Sequence, residues 1–339
     1  MAMRDAAYKS TRGRNLILAA HERNLKKIDP PWSSREVQTS WGRTWVLEAG
    51  PPDAPPLLFL HGISLHAAAQ HHEINGLAKR FRVFAPDIPG QPGLSAERTL
   101  PFRGPAFGQW ARDLLDALGL ETVRVAGYSM GGYAALRLAE AAPERVERAA
   151  LIVPLGLAPG RLAILPQFLL TQLLYRHRPS HRWLSRMNRL LASPGEDLDP
   201  VMSELLGLAT LHFHLPVQPI PVLSRGQLAR YDRPTLVLVA EHDCFWHAHE
   251  SMMGAWRLLS RPVVELLRGQ GHVPASADRD ANAVRVEWQG HKLGYVPRRD
   301  NAAVARHLDR GGRVEARVSK LKAHRNPWQR VEFEVFVGL

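Results

Sequence analysis

The fold is decided by the stretch Val123-Arg124-Val125-Ala126-Gly127-Tyr128-Ser129-Met130-Gly131-Gly132-Tyr133-Ala134-Ala135-Leu136-Arg137-Leu138-Ala139. Residues 122–126 are rich in β-branched side chains and predict a short strand. The Ala- and Leu-rich end predicts a helix that Pro143 terminates. Between the two lies Gly-x-Ser-x-Gly, which is typical of a sharp strand-to-helix turn that exposes a serine hydroxyl.

Such a turn needs small neighbours, and three glycines supply the room: Gly127, Gly131 and Gly132. Ser129 would then stand at the amino end of the helix, where free N–H groups favour developing negative charge. We therefore predict that Ser129 is a nucleophile. The alternative is an ordinary serine in a glycine-rich turn.

Composition bounds the class of protein. The chain has 339 residues, of which 45% are hydrophobic and 22% charged, as in a globular protein with one large α/β domain and an appendage. No apolar run approaches the ~18 residues that span a bilayer. The apolar residues 16–20 are too few for the core of a signal peptide. We therefore expect a cytoplasmic protein.

The chain is strongly basic, with a formal net charge of +12 and a pI near 10.4. This charge raises nucleic acid or an anionic surface as a partner. The alternative is that arginine serves as a general solubilising residue, since the sequence lacks basic runs of ~5–6 residues. The single cysteine, Cys244, excludes an internal disulfide. We expect a packed thiol there rather than a nucleophile.

Alternation of strands and helices predicts a mostly parallel sheet with right-handed crossovers. The chain divides into four parts. We expect a lead-in helix over 1–33, a core over 34–155 and 234–275, a helical cap over 156–233, and a β-rich segment over 276–339. Predicted strands lie at 57–60, 82–87, 122–126, 149–153, 235–240 and 263–267, and predicted helices at 71–81, 106–118 and 249–259. Residues 37–49 predict a hairpin.

An acid and a histidine follow Ser129 in the chain, each shortly after a predicted strand. Asp243 comes directly after the predicted strand 235–240, with Glu241 as its competitor, and His272 follows the last strand of the core. A histidine base removes the proton of a serine hydroxyl, and a carboxylate fixes the tautomer of that histidine. We therefore predict Ser129, His272 and Asp243 as a catalytic triad.

An oxyanion needs two preorganised N–H donors. We expect the backbone of Met130, just after the nucleophile, and that of Ile63, just after His61-Gly62. His61 itself is expected to brace its loop. We expect no cofactor and no metal, because His71-His72 and His212-Phe213-His214 lack a matching acid or cysteine cluster.

Together these motifs resemble the α/β-hydrolase superfamily. The leading segment Trp41-Gly42-Arg43-Thr44 and the prolines before His61-Gly62 are similar to bacterial carboxylesterases. The resemblance covers about residues 20–275. It implies an α/β-hydrolase fold and hydrolysis of a small-molecule carboxylic ester through an acyl-enzyme, with amide, lactone and C–C bond hydrolysis left open. The loop 87–95 is one residue longer than the usual Asp-x-x-Gly-x-Gly-x-Ser, so its shape is not predicted.

The final segment departs from that family. Residues 283–288, 291–296, 313–319 and 331–337 alternate as strands, and 301–308 predict a helix. The run from Asp280 to Pro297 resembles the HIRAN domain, a small β module linked with binding DNA ends, but only its later part, about 278–339. Residues 277–339 carry 13 basic and 8 acidic side chains. The alternative function is therefore nucleic-acid binding with a vestigial hydrolase domain. We expect an incomplete module that binds nucleic acid weakly and is either docked on the core or loosely ordered.

Overall fold

The computed structural model describes residues 7–214 and 218–274, together with four strands between residues 285 and 337. The chain divides into two compact units, Met1–Ala275 and Ser276–Leu339. The larger unit is built on one sheet of eight strands. These are β1 (Trp32–Thr39), β2 (Gly42–Ala49), β3 (Pro56–Leu60), β4 (Arg82–Pro86), β5 (Val123–Tyr128), β6 (Val146–Ile152), β7 (Thr235–His242) and β8 (Pro262–Gly271).

The order of strands across the sheet is β1-β2-β4-β3-β5-β6-β7-β8. Strands β1 and β2 form an antiparallel hairpin, β2 joins β4 antiparallel, and β3 to β8 are parallel. This is the predicted mostly parallel sheet. Parallel strands bring their carboxyl ends to one edge, which explains why the ends of β3, β5, β7 and β8 meet.

Helices cover both faces of the sheet and form the cap. The structure places α1 (Thr11–Leu25), α2 (His71–Leu77), α3 (Ala106–Leu118), α4 (Met130–Ala141), α5 (Leu165–His177), α6 (His181–Leu191), α7 (Pro200–His212) and α8 (Ala248–Leu258). Helix α2 ends four residues before the predicted end. The N–H groups of Arg80 and Phe81 both donate to the carbonyl of Leu77, and this tight turn reverses the chain into β4.

Two separate clusters of buried hydrophobic side chains cover the two faces of the sheet. On one face Trp110 and Tyr133, from α3 and α4, are fully buried. On the other face Phe59 and Ile74 pack with Leu47. The cap helices α5 to α7 lie between β6 and β7 in the chain, and α1 packs along α7. The α/β-hydrolase architecture with a helical cap insertion is therefore confirmed.

The smaller unit contains two antiparallel strand pairs. Strand β9 (Arg285–Trp288) pairs with β10 (His291–Tyr295), and β11 (Val314–Leu321) pairs with β12 (Val331–Val337). The predicted helix over 301–308 lies outside the described residues. Within the described part of the chain, no helix combines the length and apolar character needed to cross a membrane.

Candidate active site

Ser129 stands on a strained turn between β5 and α4. Its φ is 51° and its ψ is −111°, in the left-handed half of backbone space that side chains rarely occupy. A Cβ on Gly131 would lie 1.9 Å from the carbonyl oxygen of Leu60, and one on Gly127 would lie 2.4 Å from that of Gly131. Only glycine fits these two positions, and a Cβ on Gly132 would lie 2.7 Å from that of Pro154, so the turn requires the three-glycine pattern of the sequence.

The hydroxyl of Ser129 lies next to His272, which directly follows β8, the last strand of the large sheet. Ser129 Oγ lies 3.1 Å from His272 Nε2, and His272 Nδ1 lies 2.9 Å from Asp243 Oδ2. All three side chains are buried. The imidazole of His272 is therefore within hydrogen-bond distance of both the Ser129 hydroxyl and the Asp243 carboxylate.

Of the two candidate acids, Asp243 contacts the histidine. Its other oxygen, Oδ1, accepts from the backbone N–H groups of Phe245 at 2.8 Å and Trp246 at 3.3 Å. These bonds fix the carboxylate toward His272. The Glu241 carboxylate lies elsewhere and accepts from the N–H of Gly269 at 2.8 Å.

Aromatic side chains enclose the histidine. The ring of Phe245 stands edge-on to that of His272, with centroids 4.9 Å apart, and the ring of Trp246 lies at 5.7 Å. The Tyr128 hydroxyl donates to the backbone carbonyl of His272 at 2.6 Å. Burial raises the pKa of Tyr128 well above its usual value, so this hydroxyl stays protonated and remains a donor.

The cap holds the backbone on both sides of His272. The N–H of Gly271 donates to Ser193 Oγ at 3.1 Å, and the N–H of Val273 donates to the carbonyl of Leu191 at 2.8 Å. Both cap residues lie at the carboxyl end of α6. Sequence reasoning missed this link, because no motif marks a loop serine that pairs with a backbone group 78 residues away.

The loop that carries Ile63 is fixed by two glutamines. The N–H of Gly62 donates to Gln70 Oε1 at 3.3 Å, and that of Ser64 donates to Gln91 Oε1 at 2.8 Å. Ile63 lies between these two anchored residues. Met130 begins α4, where backbone N–H groups lack partners within the helix. Ile63 and Met130 were predictable from the sequence, whereas no motif marks either glutamine.

His61 joins this loop to the end of β4. Its Nε2 accepts from the N–H of Ile88 at 2.9 Å, so its Nδ1 carries the proton and donates to the carbonyl of Gly62 at 2.8 Å. Burial lowers the pKa of His61, which keeps this neutral tautomer. These contacts agree with the expectation that His61 braces the loop.

The loop after β4, whose length departs from the usual pattern, closes on Asp87. Gly93 lies so near that a Cβ on it would be 2.5 Å from Asp87 Oδ2. Ser95 Oγ donates to the carbonyl of Asp87 at 2.6 Å and accepts from the N–H of Trp45 at 2.9 Å. The extra residue is thus accommodated in an ordered loop that also carries Gln91.

Cys244 is packed rather than aimed at the site. It is buried against Leu191, Ala192 and Leu198. Burial raises the pKa of its thiol, so the reactive thiolate is disfavoured.

Comparison with known proteins defines the class. A model described as the alpha/beta hydrolase fold matches residues 55–206. The uncharacterized carboxylesterase nap of Bacillus subtilis is 32% identical over 247 residues, which cover 70% of this chain and 79% of that protein. The chain therefore belongs to the α/β-hydrolase family and is a hydrolase.

The chain is also similar to a second carboxylesterase, both in sequence and in structure. Carboxylesterase YbfK of Bacillus subtilis is 27% identical over 247 residues, covering 70% of this chain and 80% of that protein. The crystal structure of carboxylesterase CesB (YbfK) from Bacillus subtilis matches with a TM-score of 0.68 at 24% identity, over 77% of this chain and 92% of that one. This second likeness concerns the fold.

A second model, for the HIRAN domain, matches residues 235–339. The C-terminal resemblance seen in the sequence is thereby confirmed. The match begins at β7, however, and residues 235–271 form β7, α8 and β8 of the large sheet. The first part of the match thus falls on strands and a helix that belong to the hydrolase fold.

Proposed function

We propose that this protein hydrolyses carboxylic esters through an acyl-enzyme, with Ser129 as nucleophile, His272 as base and Asp243 as the orienting acid. The observation that carries the proposal is the continuous contact from Ser129 Oγ to His272 and from His272 to Asp243. The names of two relatives, both carboxylesterases, support the choice of an ester. The assignment of 34–155 and 234–275 to the core and 156–233 to the cap belongs to the same proposal.

In the first half of the reaction, Ser129 Oγ attacks the ester carbonyl carbon while His272 Nε2 takes the hydroxyl proton. The carbonyl electrons move to oxygen, and the N–H groups of Met130 and Ile63 stabilise that charge. The charge then returns, the bond to the alcohol oxygen breaks, and His272 gives its proton to the departing alcohol. The acyl group remains on Ser129.

In the second half, His272 takes a proton from water, and the hydroxide attacks the acyl carbon. The bond to Ser129 Oγ breaks, the carboxylic acid leaves, and the proton returns to Ser129. Asp243 stabilises the imidazolium in both halves. The enclosing rings of Phe245 and Trp246 exclude solvent from the imidazole, which strengthens these interactions.

The cap sets the size of the substrate in this proposal. Residues 156–233 are rich in Leu, Pro and Arg and contain no lysine. An apolar acyl or alcohol group is therefore the expected guest. If exchanging or trimming the cap left the preference for ester chain length unchanged, this part of the proposal would be wrong.

The nucleophile is tested with small p-nitrophenyl esters and a fluorophosphonate probe. Ser129→Ala should lower kcat/KM by about 10⁴-fold or more and abolish labelling. The matched control is Ser251→Ala, which removes a buried hydroxyl from α8 and should change neither. Undiminished turnover in a folded Ser129→Ala protein would overturn the assignment.

The HIRAN match and the excess of basic over acidic side chains in residues 277–339 favour a second function, DNA binding. We propose that the segment 278–339 binds DNA weakly, in addition to hydrolysis. The full chain should bind single-stranded DNA with an affinity that falls as salt rises, because phosphate contacts release counterions. A chain ending at Ala275 is the control and should lose that binding. Equal binding by both chains would place the DNA contact elsewhere.

A further inference from the structure

Three buried side chains from distant parts of the chain meet beside the loop of Ile63. They are His21 on α1, His66 before the short helix Ala67–Gln70, and Asp87 just after β4. Their exposed fractions are 1%, 0% and 1%. One ring nitrogen or carboxylate oxygen from each lies within 4.8 Å of the others, and no other such group occurs among the described residues.

Asp87 presents a fixed carboxylate. Its Oδ1 accepts from the N–H of Ala67 and its Oδ2 from that of Leu94, each at 2.8 Å, and His21 Nε2 lies 3.0 Å from Oδ2.

His66 is the unexplained member. Both of its ring nitrogens are buried without a hydrogen-bond partner, although its ring centroid lies 4.3 Å from that of His21. Leaving a buried polar group unpaired costs about 1–3 kcal/mol. Neither ring nitrogen is therefore committed to a hydrogen bond, and the nitrogen without a proton can offer its lone pair to an ion.

We propose that His21, His66 and Asp87 bind a divalent transition-metal ion, zinc foremost. Two neutral imidazoles and a carboxylate are a ligand set that zinc favours, whereas calcium and magnesium prefer oxygen alone. All three side chains are buried, so an ion held by them would not be open to substrate.

Bond lengths of about 2.0–2.2 Å place the donors of a tetrahedral zinc site about 3.3–3.6 Å apart. His21 Nε2 and Asp87 Oδ2 already lie 3.0 Å apart, and His66 offers a ring nitrogen within 4.8 Å of a donor atom of each. A water molecule takes the fourth position. The ion would tie α1 to the loop that carries Ile63 and to the end of β4. No short-range pattern predicts this site, because positions 21, 66 and 87 form no spaced motif.

The test uses the untagged full chain, stripped with a chelator and titrated with Co²⁺, which absorbs visible light when four-coordinate. We expect one equivalent of Co²⁺ to bind, to produce that band, and to be displaced by Zn²⁺. His66→Ala should weaken binding by more than about 100-fold, since loss even of supporting residues costs about 10–100-fold. No existing hydrogen bond is lost in this variant.

The matched control is His71→Ala, another buried histidine that lies outside the cluster, and it should bind as the unmodified chain does. His66→Phe fills the space if His66→Ala fails to fold. Absence of the Co²⁺ band, or binding that survives both His66 variants, overturns the proposal. If neither variant folds, the anomalous-scattering peak of Zn²⁺ in crystals decides: a peak among the three side chains supports the site, and a peak only elsewhere overturns it.

Discussion

Ser129 depends on its neighbours for its conformation as much as for its reactivity. A φ of 51° is unfavourable for a serine, and three contacts hold it there: its N–H donates to the carbonyl of Ile152, while the N–H groups of Tyr133 and Leu155 donate to its own carbonyl. Backbone strain of this kind costs about 1–3 kcal/mol and persists only where the surroundings impose it. Here the surroundings are the end of β6 and the start of α4.

The two candidate acids can be separated by matched amide substitutions. Asp243→Asn should lower kcat for p-nitrophenyl esters by about 10⁴-fold, because an amide favours the wrong tautomer of His272. Glu241→Gln should change kcat by less than about threefold, since Glu241 contacts Gly269 instead. Steady-state kinetics on both proteins give the answer. The reverse ranking would exchange the roles of the two acids.

Cys244 should be chemically inert in the native protein. Its buried thiol has a raised pKa, so a thiol reagent at pH 7.5 should modify it far more slowly than in denaturant. The rate is followed by the colour released from a disulfide reagent. Cys244→Ala should retain ester turnover within a few-fold. Rapid native modification together with loss of turnover would instead assign the thiol a part in the chemistry.

At the scale of elements, the residues that carry chemistry were predictable and those that support them were not. The order strand, Ser129, helix, then Asp243 and His272 each after a strand, follows from local pattern, and the structure places all three together. The supporting contacts of Gln70, Gln91 and Ser193 join segments far apart in the chain. No short-range pattern encodes such pairs. The role of each residue in catalysis stays a prediction.

Ser193 tests whether the cap positions the base. Ser193→Ala leaves the buried N–H of Gly271 without its acceptor, which should cost about 1–3 kcal/mol of unfolding free energy. We also expect kcat to fall with little change in KM, because His272 loses one of its backbone restraints. Denaturant melts and ester kinetics measure the two effects.

The control for this prediction is Ser185→Ala, which removes a half-buried serine hydroxyl from α6, the helix that precedes Ser193, and it should change neither quantity. A purely structural role for Ser193 would appear as lower stability with kcat unchanged.

At the scale of the whole molecule, the proposed catalytic residues and the basic C-terminal segment lie in different units. Every residue of the proposed triad lies in Met1–Ala275, whereas the basic segment lies in Ser276–Leu339. In the larger unit β8 lies at the edge of the sheet. Its Val263 side chain is 57% exposed, and the Met253 and Trp256 side chains on the neighbouring α8 are each 50% exposed. Family members normally cover this edge with a closing helix. Whether the smaller unit covers it here can be measured.

Limited digestion with trypsin tests whether the smaller unit is docked or loose. Trypsin cleaves after arginine and lysine, and Arg279 lies just beyond the boundary between the units. The large fragment should keep ester turnover within a few-fold of the intact chain, because it contains all the proposed catalytic groups. The rate of cleavage near 275–282 distinguishes a docked segment, which resists, from a loose one, which is lost early. A fragment that stays folded but inactive would contradict the expectation.

The link between the cap and the loop of His272 also bears on how such proteins diversify. Because Leu191 and Ser193 bind the backbone beside His272, the segments 191–193 and 271–273 must remain compatible with each other. Recombination that imports a foreign cap by cutting only at its two ends would separate these partners. A foreign cap would therefore need a histidine loop that matches it, although 78 positions separate Ser193 from Gly271.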